Sequence, residues 1–197
     1  MKSEIKSFHN HISQHISATN DLKIKLGQVV NIAKFLKKKI NQNKKIFVYG
    51  NGGSYADGLH FVAELISTYK NKKRKPLPFI VLGTNIPSLT AWSNDNEFDT
   101  YLTREVDALS KKGDVLILIS TSGGNLKNKQ SINLLNLAKF ARKKRLKLVC
   151  FLGKNNGLIG KYSVLKYHTN SLNTPIIQET QKIIFHLISD FFDKEFK

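Results

Sequence analysis

The spacing of hydrophobic residues along the chain alternates between a period typical of helices and runs typical of buried strands. Apolar residues three or four positions apart predict two amphipathic helices within residues 1–42. The first helix carries the stripe Ile5, Phe8, Ile12 and Ile16, and the second carries Leu22, Leu26, Val29, Ala33, Leu36 and Ile40. Polar residues 19–21 are expected to separate the two helices. Each stripe either faces the core or packs against another subunit.

Short continuous apolar runs predict five strands, at residues 46–49, 76–82, 114–119, 146–152 and 164–168. Helical patterns lie between them, at residues 54–69, from residue 83 to an interruption at 93–96, at 98–109, and from just after Asn125 to about Lys144. Pro175 opens the last helix. Strands that alternate with helices predict an α/β fold in one domain over residues 1–197, with a doubly wound parallel five-stranded sheet flanked by helices.

A glycine-rich turn follows the first predicted strand. Gly50, Asn51, Gly52 and Gly53 lie between that strand and a helix that opens at Ser54. Glycine can adopt positive φ, and without a Cβ it lets a ligand approach the backbone. A strand, a glycine-rich turn and a helix start together favour binding of an anion such as a phosphate. The alternative is a tight connection between strand and helix that binds nothing.

Two further polar segments follow predicted strands. Ser120, Thr121 and Ser122 stand at the end of the third strand, before two glycines, and Asn94 and Asp95 interrupt the helix after the second strand. In a parallel doubly wound sheet, ligands bind at the carboxyl ends of the strands. All three polar segments fall at that edge, so the sequence predicts a binding site there.

His60 and Glu64 lie four residues apart on the helix that follows the glycine-rich turn, and therefore on one face of it. A base, an acid or a pair of metal ligands can be built from these two side chains. The alternative is that His60 and Glu64 only pair with each other on the protein surface.

The chain has 32 Lys and Arg against 14 Asp and Glu, a formal net charge of +18. Nucleic acid, an acidic surface or anionic small molecules would suit such an excess. The lysines form short clusters near element ends without interleaved stacking aromatic residues, which argues against nucleic acid. The sequence contains no apolar run of the ~20 residues that span a bilayer, no signal-peptide pattern and a single cysteine, Cys150. We therefore expect a cytoplasmic protein with neither nucleic acid nor membrane as its partner.

The glycine-rich turn, His60, Glu64, the serine turn at residues 120–123, Gln178 and His186 together resemble the sugar isomerase (SIS) domain family. Within that family the combination looks like the phosphoheptose isomerases, over nearly the whole chain. The resemblance implies an SIS-type fold with an N-terminal helical extension. It also implies isomerisation of sedoheptulose 7-phosphate to glycero-manno-heptose 7-phosphate through an enediol, for heptose-containing surface glycans.

The resemblance implies a role for each matching residue. Glu64 matches the general base and His186 the partner acid/base, and His60, Glu64, Gln178 and His186 match positions that bind zinc in family members. The residues expected to contact the substrate are Asn51, Gly52, Gly53, Ser54, Asn94, Asp95, Ser120, Thr121, Ser122 and Gln178. The family implies a homotetramer with active sites between subunits, in which residues 1–42 contribute to the interface.

Gln178 and His186 are eight residues apart, a rise of about 12 Å along a regular helix. Glutamine is also not a usual zinc ligand. The simpler hypothesis is therefore that one zinc ion is bound by ligands from more than one subunit.

The chain departs from the family pattern after Ser122. The family usually continues with Asn-Ser after the first glycine, whereas this chain has Gly124, Asn125 and Leu126, and the segment before the next strand is roughly half a dozen residues longer. A phosphate-binding hydroxyl is therefore missing from its expected position. Asn125 is the expected substitute.

Two other function classes share the SIS fold. A non-catalytic relative that scaffolds a replication-initiator-type partner need not keep His60, Glu64, Gln178 and His186, so their presence favours the enzyme. A regulator that senses a phosphosugar and binds DNA would need a separate helix-turn-helix domain, for which the residues before 42 are too few.

Overall fold

The computed structural model describes residues 1–155 and 157–196, and its centre is a parallel sheet. The strands are β1 (Ile46–Gly50), β2 (Phe79–Val81), β3 (Val115–Ser120), β4 (Lys147–Leu152) and β5 (Leu165–His168). Their order in the sheet is β2-β1-β3-β4-β5, and each neighbouring pair is parallel. The α/β class and the five predicted strands are confirmed, although β2 is shorter than the predicted run.

Seven α-helices occur within the described residues. They are α1 (Lys2–Ile24), α2 (Leu26–Asn41), α3 (Gly53–Ile66), α4 (Ile86–Asp95), α5 (Tyr101–Leu109), α6 (Ile132–Lys143) and α7 (Thr174–Glu195). Short 3₁₀ segments precede α5, at Phe98–Thr100, and β5, at Ile159–Tyr162. None of these described helices has both the length and the apolar character that crossing a membrane requires.

The helices cover both faces of the sheet because successive strand side chains point to opposite sides. Ile46 and Val48 of β1 pack in a cluster with α2, α3 and α7, whereas Phe47 and Tyr49 pack in a second cluster with α5 and α6. Every residue of β1 and β3 is buried, which explains why these strands read as continuous apolar runs.

The predicted break between the first two helices is wrong. Helix α1 continues through residues 19–21 and ends at Ile24, and the chain turns at Lys25. The polar side chains are satisfied along the helix, since the Thr19 hydroxyl donates to the His15 carbonyl oxygen and Asp21 pairs with Lys25 at 2.7 Å. A polar segment therefore does not end the helix here.

Three other boundaries differ from the sequence prediction. The interruption predicted at residues 93–96 begins later, because Asn94 and Asp95 belong to α4, which ends at Asp95 and is followed by Asn96 in extended conformation. Helix α3 ends at Ile66, earlier than predicted. The helix expected directly after Asn125 begins only at Ile132, because Asn125 and Gln130 form an antiparallel bridge that closes the intervening loop.

Candidate active site

The glycine and serine turns meet at the carboxyl edge of the sheet. Strands β1 and β3 are neighbours, Gly50 pairs with Ile119, and Ser120 ends β3. From β1 the chain continues to β2 in one direction along the sheet, and from β3 it continues to β4 in the opposite direction. The place where this direction reverses, between β1 and β3, is called the topological switch point. A crevice opens there, and it is the usual ligand site of open α/β sheets. The predicted meeting of the two turns is confirmed.

Both turns line a cavity of about 270 Å³ at this crevice. The starts of α6 and α7 complete its polar lining, which comprises Asn51, Gly52, Gly53, Ser54, Ser120, Thr121, Ser131, Thr174 and Gln178. A space of this size, with hydroxyls, amides and a helix N-terminus around it, can accommodate the anionic end of a small ligand.

The glycine turn needs its glycines at two positions. Gly52 has φ 54° and ψ −123°, a conformation that residues with a Cβ rarely adopt. A Cβ on Gly53 would lie 2.5 Å from Nε2 of Gln178. The turn can therefore pass close to α7 and present its backbone to the cavity.

Hydrogen bonds from both turns hold the cavity in shape. The N–H of Gly123 donates to Oγ of Ser120 at 3.0 Å, which fixes the serine turn. The side-chain amides of Asn51 and Asn133 exchange two hydrogen bonds of 2.8 and 3.0 Å, which join the glycine turn to α6. Asn133 is nearly fully buried. This pair could not be predicted from the sequence, since nothing in the local pattern around residue 133 links it to residue 51.

Ser131 is a second cavity residue that was not predicted from the sequence. It stands immediately before α6 and lines the cavity, and its Oγ lies 3.3 Å from Oγ of Ser122. Asn125, the residue expected there, does not line this cavity. Its Oδ1 instead accepts hydrogen bonds from the N–H groups of Lys127 and Asn128 within the loop. A hydroxyl directly before a helical apolar pattern was the available signal for Ser131.

His60, Glu64 and His186 form a cluster between α3 and α7. Oε1 of Glu64 lies 3.2 Å from Nε2 of His60 and 3.3 Å from Nε2 of His186. The Glu64 side chain is 11% exposed, whereas His60 and His186 are 50% and 38% exposed. The ring of Tyr69 stacks on His186, with centroids 5.9 Å apart. A nearly buried carboxylate thus faces two imidazoles that are open to a ligand.

The donor set of this cluster fits a metal ion. One ligand atom from each of His60, Glu64 and His186 lies within 4.8 Å of the others. Tetrahedral ligands with metal–ligand bonds of about 2.0 Å lie roughly 3.3 Å apart, close to the two distances from Oε1 of Glu64. Two imidazoles and one carboxylate also leave a fourth position for a further ligand. These three residues could hold a metal ion.

The remaining predicted site residues lie apart from this cluster within the chain. Gln178 lines the cavity beside Gly53, eight residues before His186 on a continuous α7, or about 12 Å along its axis. Asn94 and Asp95 lie exposed at the end of α4, joined by a 2.8 Å hydrogen bond, and are not part of the described lining of the cavity.

A buried arginine fastens α3 to α7. The side chain of Arg74 is fully buried, and its Nε donates to Oδ1 of Asp193 on α7 at 2.7 Å. Its Nη1 and Nη2 donate to the carbonyl oxygens of Leu65 and Glu64 at the end of α3. Burial acts to raise the pKa of Asp193, but hydrogen bonds from the Asn71 N–H and from Arg74 outweigh burial and lower that pKa. The two helices of the cluster are therefore held in a fixed relation.

Comparison with known proteins identifies the family. The SIS domain family profile matches residues 8–153. A probable phosphoheptose isomerase of Thermoplasma acidophilum is 37% identical over 175 residues, which cover 89% of this chain and 92% of that protein. The phosphoheptose isomerase of Campylobacter concisus is 34% identical over 197 residues, which cover 100% of this chain and 97% of that protein. This chain belongs to the phosphoheptose isomerase family. The resemblance inferred from its motifs is confirmed.

Solved structures of phosphoheptose isomerases share the fold over nearly the whole chain. The structure from Francisella tularensis has a TM-score of 0.88 and 25% identity, and covers 97% of this chain and 98% of its own. The structure from Neisseria gonorrhoeae has a TM-score of 0.83 and 29% identity, with 96% and 98% coverage. The expected SIS-type fold, N-terminal helices included, is confirmed.

Proposed function

We propose that this protein isomerises sedoheptulose 7-phosphate to glycero-manno-heptose 7-phosphate. The observation that carries the proposal is the His60–Glu64–His186 cluster, which places a nearly buried carboxylate against two accessible imidazoles. The two relatives cover 89% and 100% of the chain and are named as a probable phosphoheptose isomerase and a phosphoheptose isomerase, so the non-catalytic scaffold is not supported.

Glu64 is the proposed base of this reaction. The isomerisation moves one proton between C1 and C2 of the sugar. Glu64 takes the proton from C1 of the ketose to give an enediol and returns it to C2, while the O1 proton is transferred to O2 and C1 becomes the aldehyde. His186, whose Nε2 lies 3.3 Å from Oε1 of Glu64, exchanges the proton between the two oxygens.

The phosphate of the substrate is proposed to bind in the cavity at the switch point. Thr121 and Ser131 line this cavity and Ser131 stands directly before α6, so their hydroxyls and the backbone N–H groups at the start of α6 are the proposed phosphate donors. Backbone N–H groups and a helix dipole favour negative charge without any charged side chain. Gln178, Asn51 and the glycine turn also line the cavity, and they are the proposed contacts of the adjoining sugar hydroxyls.

Zinc is the proposed cofactor, held by His60, Glu64 and His186. A bound zinc ion would polarise the C2 carbonyl and stabilise the enediolate. Gln178 is the fourth proposed ligand, and its position two turns before His186 on α7 supports its delivery by another subunit.

A homotetramer with active sites between subunits is the proposed assembly. The stripe Ile5, Phe8, Ile12 and Ile16 on α1 is 48–69% exposed in one chain. A contiguous apolar stripe of this kind is typical of a subunit interface. Asn94 and Asp95 are exposed and lie outside the cavity lining of their own chain, so their proposed contact is with substrate in a neighbouring subunit's site. A reducing, cytoplasmic location suits the free buried thiol of Cys150.

Turnover of sedoheptulose 7-phosphate, followed by NMR for the wild type and for Glu64→Gln, tests the proposal. Glutamine has nearly the shape of glutamate but cannot accept the C1 proton, so we expect kcat to fall about 10³-fold, within the range for loss of a general base. The matched control is Glu195→Gln at the exposed end of α7, which should retain wild-type turnover. Absence of conversion by the folded wild type, with and without added zinc, would contradict the proposal.

A further inference from the structure

The Glu64 carboxylate has a third partner besides the two imidazoles. The hydroxyl of Ser189, on α7, donates a hydrogen bond to Oε2 of Glu64 at 2.8 Å. Ser189 is fully buried. The two histidine nitrogens lie on the other oxygen, Oε1, at 3.2 and 3.3 Å. Oε2 of Glu64 is therefore bound by a buried hydroxyl donor, whereas Oε1 faces the two accessible imidazoles.

The Ser189 hydroxyl donates to a side chain of another helix, not to its own helix backbone. A serine or threonine inside a helix commonly donates to the carbonyl oxygen four residues earlier. Thr180, also buried on α7, does so, with its Oγ1 2.7 Å from the Ile176 carbonyl oxygen. Ser189 instead reaches across to α3. It stands three residues after His186 and thus on the same face of the helix, so α7 presents both an imidazole and a hydroxyl to one carboxylate.

We propose that Ser189 is a positioning residue that holds Oε2 of Glu64 and so directs Oε1 at the two imidazoles and at any ion or sugar carbon between them. The proposal rests on the assigned role of Glu64 as base and ligand. A carboxylate on a flexible stem can rotate, and a buried donor on one oxygen limits that rotation. Groups that orient a ligand in this way commonly change metal affinity or activity by 10–100-fold when they are removed.

The test compares Ser189→Ala with Thr180→Val, two variants that each delete one buried hydroxyl from α7. For each variant, kcat and KM for sedoheptulose 7-phosphate, zinc affinity by competition with a chromophoric chelator, and the melting temperature are measured. We expect Ser189→Ala to lower kcat and zinc affinity each by about tenfold, with KM within about twofold of the wild type. Thr180→Val should retain wild-type kcat and zinc affinity.

Wild-type kcat and zinc affinity in Ser189→Ala would overturn the proposal. Equal losses of kcat in the two variants, in step with their melting temperatures, would also overturn it, since they would assign to Ser189 only a packing role. Inactivity of the wild type would refute the proposed reaction instead, and zinc affinity would then decide the role of Ser189 by itself. If the wild type converts sedoheptulose 7-phosphate without binding zinc, the change in kcat of Ser189→Ala decides whether Ser189 is a positioning residue.

Discussion

Ser131 shows how much one side chain at the cavity depends on the fold. It lies at the end of the long loop after the serine turn, in left-handed conformation with φ 54° and ψ 40°. This conformation turns the chain into α6 and places the hydroxyl beside Ser122. A serine at this position joins a side-chain donor to the backbone donors of the helix start, which is a favourable combination for a phosphate.

Replacement of Ser131 by alanine tests the phosphate site. A hydrogen bond to a charged group contributes about 1.5–3 kcal/mol, so Ser131→Ala should raise KM for sedoheptulose 7-phosphate by about tenfold or more, with a smaller change in kcat. The comparison variant is Asn125→Ala, whose side chain caps its own loop. A larger KM change for Asn125→Ala than for Ser131→Ala would place the phosphate against Asn125 and contradict the assignment.

At the scale of elements, the cluster depends on the relation between α3 and α7. His60 and Glu64 lie on α3, and His186 lies on α7, so a shift of one helix would separate the imidazole from the carboxylate. Arg74 and Asp193 lock that relation, and the guanidinium also satisfies carbonyl groups at the end of α3. Helix ends leave such carbonyl groups without helical partners, and burying them without a donor costs free energy.

Loss of Arg74 should therefore destabilise the protein strongly. Arg74→Met removes one partner of a buried ion pair and leaves Asp193 and the α3 carbonyl groups uncompensated, so we expect the free energy of unfolding to fall by about 3–5 kcal/mol. Urea unfolding followed by circular dichroism measures this change. Lys37→Met is the control, because it breaks an exposed ion pair with Glu195 and should cost about 1 kcal/mol or less. Similar losses for the two variants would refute the locking role.

The whole molecule leaves one of its apolar surfaces uncovered. Ala18 and Leu22 near the end of α1 are buried, whereas Ile5, Phe8, Ile12 and Ile16 are open to solvent. The buried pair and the exposed stripe lie on different sides of the helix. One side of α1 therefore packs against the rest of the chain, and the stripe faces outward. A second copy of this chain is the proposed occupant of the outward side.

The paired substitution Phe8→Glu and Ile12→Glu tests the assembly. Two carboxylates in the centre of an apolar interface would oppose association, since burying an unpaired charge is costly. Size-exclusion chromatography with light scattering should show a tetramer for the wild type and a smaller species, with reduced turnover, for the variant. The control is Asn10→Glu, on the opposite side of α1, which should remain tetrameric. A variant that keeps the wild-type mass would exclude the stripe from the interface.

The sequence by itself determined the element types, because each depends on local periodicity. The buried runs at β1 and β3 could be recognised as strands since both of their faces are covered. The middle of the α2 stripe, at Val29, Ala33 and Leu36, is buried as its spacing predicts. Helix ends were less predictable. Polar residues at 19–21 and at 93–95 remain helical because their side chains find partners along the helix or project into solvent.

Only the tertiary structure decided that the glycine turn meets the serine turn and that α3 and α7 bring their site residues together. Sheet order made the glycine and serine turns neighbours, and no local pattern specifies that order. His60 and Glu64 could be paired by their helical spacing, but His186 was assigned to them only through the family resemblance, because it lies on another helix. Ser131, Asn133 and Ser189 were not predicted at all. Asn133 and Ser189 contact residues 82 and 125 positions away, and such contacts arise from packing between elements rather than from the pattern within one. Ser131 contacts Ser122 across a loop whose closure the local pattern does not specify.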